Sequence, residues 1–116
     1  LILNKVEAEF YSDLISAPEA THITKILTLG ANGVAVHFPD ETSRLYPAYK
    51  VKPLSTHGAG DMFVGSLAAS RLNGYRFDDS INYAQAAAAL HVSTRVDERD
   101  QISPKDVLKF IDLSKG

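Results

Sequence analysis

The pattern of apolar and polar positions predicts an α/β fold in which four short strands precede three helices. The segments "LIL" and "KILTLG" are continuous apolar runs, which are typical of buried parallel strands. In "GVAVHF", Val34, Val36 and Phe38 share one face, which is the alternation of a half-exposed strand. "RLYPAYKVK" alternates as well, and Pro47 favours a sheet edge because proline donates no ladder hydrogen bond. We therefore expect a mixed sheet, parallel in part, with an antiparallel edge hairpin.

Helical spacing follows the first strand and returns in the C-terminal half of the chain. "NKVEAEFYSDLI" places Val6, Phe10 and Leu14 on one helical face. The "STRVDERDQIS" stretch has no apolar period, so we interpret it as an irregular, solvated loop. Three further helices are predicted, and the residues that mark their ends are Gly60 and Gly74, Asp78 or Asp79, and Ser103 as the N-cap before Pro104.

Composition and charge narrow the classes of partner. A chain of 116 residues with 45% hydrophobic residues predicts one globular domain that can bury a core. A net charge of -2 with mixed signs gives no basic stripe, so we expect no nucleic acid and no acidic membrane as partner. The apolar runs are too short to span a bilayer, and the lack of cysteine is compatible with a reducing compartment. We expect a cytoplasmic protein.

The first residues bear on whether the chain is whole. The sequence begins "LILN", without Met and already inside an apolar run, so we expect it to be part of a longer protein. An apolar strand at this position would leave an unpaired sheet edge and a bare apolar face, both of which favour association. We therefore expect the isolated chain to form homo-oligomers or to be poorly soluble.

The residues Gly58, Ala59, Gly60 and Asp61, which we call the glycine turn, are the strongest candidates for chemistry. A helix N-terminus carries unpaired N–H groups and the positive end of the macrodipole, so small residues there let a phosphate approach the backbone. The lysine-containing Walker loop does not occur in the sequence. Asp61 could accept a proton from an attacking hydroxyl. Alternatively, Asp61 only complements the dipole and the glycines only turn the chain.

A family resemblance bears on these alternatives. "STHGAGDMFVGSLAA" resembles the second signature, D-T-x-G-A-G-D, of the ribokinase-like or PfkB family of carbohydrate kinases. "NKVEAE" resembles the family's N-x-x-E element, and "TLGANG" is similar to its T-L-G-x-x-G nucleotide loop. "NYAQAAAALHVST" resembles the helix that borders the family's adenine pocket. Together these segments, in the family's order, cover nearly the whole chain.

The resemblance implies a fold and a reaction. The fold would be a ribokinase-like, three-layer α/β/α sheet, of which residues 1–116 form a partial domain, the C-terminal ATP-binding part. The reaction would be transfer of a phosphoryl group from MgATP to an alcohol group of a sugar or nucleoside. Asp61 would be the base, and the amides of Gly58, Ala59 and Gly60 would stabilise charge in the transition state.

The nucleotide contacts implied by the resemblance each have a purely structural alternative. Thr28, Gly30 and Gly33 would approach the phosphates and ribose of ATP, or they simply end a buried strand in a tight turn. Gln85 would line the adenine, or its amide is simply exposed on a helix. These four positions are the cofactor-binding candidates.

Asn4 and Glu7 are the metal candidates. Their spacing across a strand-to-helix junction is that of a capping box with Asn as the cap, which spacing alone favours. The resemblance implies instead that both act through water on the Mg²⁺ that accompanies ATP, and the two roles can coexist.

Two positions depart from the family pattern. Ser55 stands where the signature usually has Asp, and no glycine follows the pair Thr94 and Arg95. Activation by a monovalent cation is therefore not carried over from the family, and whether such a cation activates stays open. His57 occupies the variable position of the signature and is expected to be a loop side chain. The remaining histidines, His22, His37 and His91, lack metal-ligand spacing.

The acceptor is not indicated, because the family builds the acceptor pocket and lid from its N-terminal half. Ribose, fructose, a deoxy-keto sugar, a nucleoside or pseudouridine would all fit. A nucleotide-binding module without catalysis is the alternative from another class. A bare α/β fold with an anion-binding helix is a third.

Overall fold

The computed structural model describes residues 1–11 and 22–115. It contains two compact units, Leu1–Pro47 and Ala48–Gly116. The sheet belongs to the first unit, and the three longer helices belong to the second.

The first unit contains a sheet of four strands, β1 (Ile2–Asn4), β2 (Lys25–Thr28), β3 (Val34–His37) and β4 (Ser43–Tyr46). Their order in the sheet is β1-β2-β3-β4. The first two strands are parallel, whereas β2 with β3 and β3 with β4 are antiparallel. This arrangement confirms the predicted mixed sheet with its antiparallel hairpin. The predicted edge position is confirmed, since β4 lies at one end of the sheet, but the strand ends at Tyr46, directly before Pro47.

The strand register explains which side chains of the sheet are buried. Val36 lies opposite Ile26 in the antiparallel pair, and both side chains are buried, as is that of Val34 two residues earlier. The intervening Ala35 is only half-buried, and His37 is exposed. Burying one such aliphatic side chain contributes about 1.5–3 kcal/mol, so this one face of the sheet holds the register.

Helix α1 (Lys5–Phe10) differs from the prediction for its apolar face. Val6 is 74% exposed and Phe10 is 81% exposed, and no residue of the helix is buried. The third residue of the predicted face, Leu14, lies outside the described residues. The described part of α1 is therefore stabilised by its N-terminal cap and not by packing of Val6 and Phe10.

The second unit contains the three helices that the sequence predicts, α2 (Ala59–Leu72), α3 (Phe77–Ser93) and α4 (Pro104–Lys115). The expected irregular loop between α3 and α4 is wrong, because Val96–Gln101 form a 3₁₀ helix. A loop was expected because the segment is charged and lacks an apolar period. Within this 3₁₀ helix the side chain of Arg99 is buried and donates hydrogen bonds to the carbonyls of Thr94 and Ser55.

Small residues form much of the core of the second unit. Ala86 and Ala87 of α3 are buried and pack with Val107 of α4, as the alanine run of the sequence predicts. Helix α2 packs against α3 and buries Phe63 and Leu67. Within the described residues, no helix is both long and apolar enough to cross a membrane.

Candidate functional site

The glycine turn leaves the N-terminus of α2 without a side-chain cap. The amide of Ala59 donates to the Thr56 carbonyl over 3.2 Å, and the amide of Met62 donates to the Gly58 carbonyl over 2.9 Å. The amides of Gly60 and Asp61 make no hydrogen bond to any residue that the structure describes. Such amides, at the positive end of a helix of 14 residues, can bind an anion.

The surface at this helix start is open. Gly60 is exposed, and a Cβ atom built there would meet nothing within 4 Å. Asp61 follows directly in the first turn, and its side chain is exposed. A phosphate at the free amides would therefore have a carboxylate beside it, which is the arrangement that the sequence predicts. The four consecutive residues of the glycine turn thus lie at the N-terminus of α2, within the second unit.

Gly58 is required by the backbone and by a neighbouring side chain. Its φ of +80° is left-handed, which costs other L-residues roughly 1–2 kcal/mol. A Cβ at this position would lie 3.1 Å from Nε2 of His91. That nitrogen is 2.9 Å from the carbonyl oxygen of His57 and donates to it, which assigns the proton of the ring to Nε2.

Two residues that the sequence pattern does not indicate, His91 and Arg99, hold the start of this turn. His91 was considered only for metal-ligand spacing, and Arg99 was assigned to a solvated loop. The guanidinium of Arg99 donates to the carbonyls of Ser55 and His57, directly before the turn. No sequence signal distinguishes Arg99 from the exposed Arg95 in the same charged run.

Gln85 lies on α3, where its side chain is buried with 8% exposure. The alternative that its amide is simply exposed is therefore wrong, since its neighbours Ala84 and Ala86 belong to the same buried stretch. The assignment of Gln85 to adenine stays a prediction.

The first unit brings Asn4 and Thr28 side by side. They are register partners at the carboxyl ends of the parallel strands β1 and β2. Ligands of open α/β sheets bind beyond such strand ends. Thr28 Oγ1 donates to the Leu3 carbonyl over 3.4 Å, and the turn that follows has positive φ at Gly30 and Gly33. The tight turn is confirmed, and contact of these residues with a nucleotide stays a prediction.

Asn4 and Glu7 form the capping box that their spacing favours. The Asn4 side chain accepts from the Glu7 amide over 2.8 Å, and Glu7 Oε1 accepts from the Asn4 amide over 3.0 Å. Both side chains are exposed, and the box engages only one carboxylate oxygen of Glu7. Carboxylate and amide oxygens that act through water suit Mg²⁺, so these residues fit the metal role as well as the cap. No group of three or more His, Cys, Asp or Glu in the described ranges could hold a metal ion.

Comparison with known proteins identifies the family. The model of the pfkB family of carbohydrate kinases matches residues 5–101. The chain belongs to this family. It is 30% identical to a ribokinase of Haemophilus influenzae over 115 residues, which are 96% of this chain and 37% of that protein. The chain thus spans little more than a third of that relative.

Solved structures show the ribokinase fold. The nucleoside kinase of Methanocaldococcus jannaschii, an archaeal member of the ribokinase family, matches with a TM-score of 0.82 and 21% identity. The match covers 97% of this chain and 39% of that one. An E. coli protein solved in complex with ATP and Mg²⁺ matches with a TM-score of 0.81 and 21% identity, over 97% of this chain and 38% of its own.

Proposed function

We propose that the chain is the C-terminal, ATP-binding part of a kinase that phosphorylates an alcohol group of a sugar or nucleoside. Membership of the pfkB family supports the class of reaction. The observation that carries the assignment of the site is the start of α2, where free amides stand directly beside the exposed carboxylate of Asp61. Phosphoryl transfer depends chiefly on positioning and charge stabilisation, which such a turn can supply.

In the proposed step, Asp61 accepts the proton of the acceptor hydroxyl as its oxygen attacks the γ-phosphorus of ATP. The bond from that phosphorus to the β,γ-bridging oxygen breaks, and ADP leaves. The amides of Gly58, Ala59 and Gly60 stabilise the negative charge on the transferring group. The Ala59 amide bonds the Thr56 carbonyl in the structure, so its contribution requires that bond to lengthen or to be shared.

The other cofactor residues are assigned by the family motifs. Thr28, Gly30 and Gly33 would contact the phosphates and ribose of ATP, and Gln85 would line the adenine. Asn4 and Glu7 would act through water on Mg²⁺, which neutralises charge on the phosphates when it is bound with ATP. The capping box supports this role only in that it fixes both side chains at the end of β1.

The acceptor is a sugar or a nucleoside, since the relatives include a ribokinase and a nucleoside kinase. The family supplies the acceptor pocket from residues outside this segment, so the chain itself offers no basis for choosing between them. A nucleotide-binding module without catalysis is the second candidate. The free amides at the start of α2 support it as well, because anion binding there requires no acceptor.

The test compares Asp61→Asn with Asp106→Asn in the full-length protein. Both residues are exposed aspartates in the first turn of a helix, but only Asp61 belongs to the glycine turn. Turnover is measured as MgATP consumption and phosphorylated product over a panel of sugars and nucleosides, and ATP affinity is measured by calorimetry. Asp61→Asn should reduce turnover by roughly 10²-fold or more, the scale of a lost general base, and should leave ATP affinity largely intact.

Asp106→Asn should leave both quantities unchanged. Near-normal turnover in Asp61→Asn would reject this residue as the base. A wild-type protein that binds ATP but phosphorylates none of the sugars or nucleosides would favour the nucleotide-binding module.

A further inference from the structure

Arg99 is a buried cation whose partners are backbone carbonyls. Its residue exposure is 9%, and its three nitrogens donate to four carbonyl oxygens. The distances are 3.1 Å to Thr94, 3.2 Å to His57, 2.7 Å to Ser55 and 3.4 Å to Val92. No carboxylate in the described ranges forms an ion pair with it, whereas the exposed Arg95 pairs with Asp97.

Burying a charge without an ion-pair partner is costly, so the positive charge of Arg99 needs a negative electrostatic potential around it. Val92 and Thr94 lie at the C-terminal end of α3, where carbonyl groups carry the negative end of the macrodipole. The planar, permanently charged guanidinium can donate to several oxygens in one plane, which the ammonium of a lysine does not. Arg99 therefore links the end of α3 to the segment that leads into the glycine turn.

The link fixes the direction of the first amide of the turn. In a planar trans peptide the carbonyl and the next N–H point to opposite sides. Arg99 Nη1 and His91 Nε2 both donate to the His57 oxygen, so the Gly58 N–H is directed away from them. The bond from Arg99 Nη2 to Ser55 orients the Thr56 amide in the same way.

We propose that Arg99 is a positioning residue that uses its buried charge to hold the backbone of the glycine turn in its anion-binding form. The inference rests on the proposed function, in which the glycine turn binds phosphate and carries the base. Loss of the guanidinium leaves four carbonyl dipoles without a cation, and among the residues that the structure describes His91 is then the one remaining donor to the His57 carbonyl.

The experiment uses the full-length protein with Arg99→Ala, Arg99→Lys and, as control, Arg95→Ala. The kcat of each protein is measured without additive and then in three separate additions: non-denaturing guanidinium chloride, urea, and sodium chloride at matched ionic strength. Urea has the planar N–H groups of guanidinium but no charge. Hydrogen exchange at the hydrogen-bonded amides of Ala59 and Met62 reports the conformation of the turn independently of activity.

Arg99→Ala should lower kcat by about 10²-fold, the scale of a small misplacement of reacting groups. Added guanidinium should restore a large part of the lost kcat, whereas urea and sodium chloride should not. Arg99→Lys should show an intermediate loss of kcat, because an ammonium keeps the positive charge but lacks the planar set of N–H donors. Exchange at Ala59 and Met62, whose amides donate to the carbonyls of Thr56 and Gly58, should be faster in Arg99→Ala, and Arg95→Ala should match the wild type throughout.

Unchanged exchange at Ala59 and Met62 in Arg99→Ala would overturn the positioning role, even if the wild type transferred no phosphate. Unchanged kcat, or equal rescue by urea and guanidinium, would overturn the role of the charge. If Arg99→Ala fails to fold, Arg99→Lys decides in the same way. Failure of the proposed function is distinguishable, because the wild type would then transfer no phosphate while exchange still reports on Arg99.

Discussion

The starts of helices α2 and α4 use an acidic first-turn residue in two different ways. At α4, Asp106 Oδ2 accepts from the amide and hydroxyl of Ser103 over 2.8 and 3.0 Å, and Ser103 Oγ accepts from the Asp106 amide. At α2, no side chain caps the helix, and Asp61 follows a left-handed glycine. A side-chain cap contributes about 1 kcal/mol, so α2 forgoes stability at the place where its amides stay free for a ligand.

Helix α1, like α4, has a side-chain cap at its N-terminus. Asn4 and Glu7 satisfy each other's amides, so helix stability alone explains both residue types. Where side chains already cap a helix, the residue types are explained without a ligand. An acidic residue at a helix start without a side-chain cap is therefore stronger evidence for ligand binding. This difference is the reason to assign chemistry first to the start of α2.

The largest effect is expected for replacing the left-handed glycine of α2. Gly58→Ala should destabilise the protein by more than Gly74→Ala, its matched control with a φ of +83°. Both variants pay roughly 1–2 kcal/mol for left-handed backbone, but only Gly58→Ala also brings a Cβ to 3.1 Å from His91 Nε2. Chemical denaturation of the two variants measures the difference. Equal losses would mean that His91 moves aside freely and does not hold the turn.

A smaller, pH-dependent effect is expected at the side-chain cap of α4. Hydrogen bonds from the amide and then the hydroxyl of Ser103 lower the pKa of Asp106. Because the folded pKa lies below the unfolded value, the stabilisation is present above the unfolded pKa and disappears as pH falls through the folded pKa. Asp106→Asn should thus be less stable than wild type at neutral pH, and the gap should close in acid.

Thermal unfolding between neutral pH and pH values below the ordinary aspartate pKa measures this gap. Ser103→Ala should retain part of the pH dependence, because the backbone amide of residue 103 still donates to the carboxylate. A gap that stays constant with pH would contradict the role of the ionised carboxylate in this cap.

Local patterns predicted much of the fold because the responsible forces act over a few residues. The alternation at Val34 and Val36, the edge position of Pro47 and the cap at Ser103 are all such features. The start of α2 at the glycine turn could be predicted for the same reason, because the N-terminus of a helix and the acidic residue in its first turn depend on a few neighbouring residues.

The features that were missed depend on contacts between distant positions. Arg99 meets Ser55 across 44 residues, and no local pattern shows which arginine of a charged run will turn inward. Gln85 is buried because its whole helix stretch is buried, although its amide is polar. Helix α1 shows the reverse failure, since Val6 and Phe10 have helical apolar spacing but remain exposed.

The most direct test of the account is calorimetric titration of MgATP into full-length Gly60→Val and Gly65→Val. Both glycines are exposed positions of α2 where a Cβ meets nothing within 4 Å, so the cost to the helix is similar. Only residue 60 lies where a phosphate would meet the free amides. The account predicts that Gly60→Val folds and loses ATP binding while Gly65→Val keeps the wild-type affinity. Unchanged affinity in folded Gly60→Val would contradict the assignment of the phosphate to this turn.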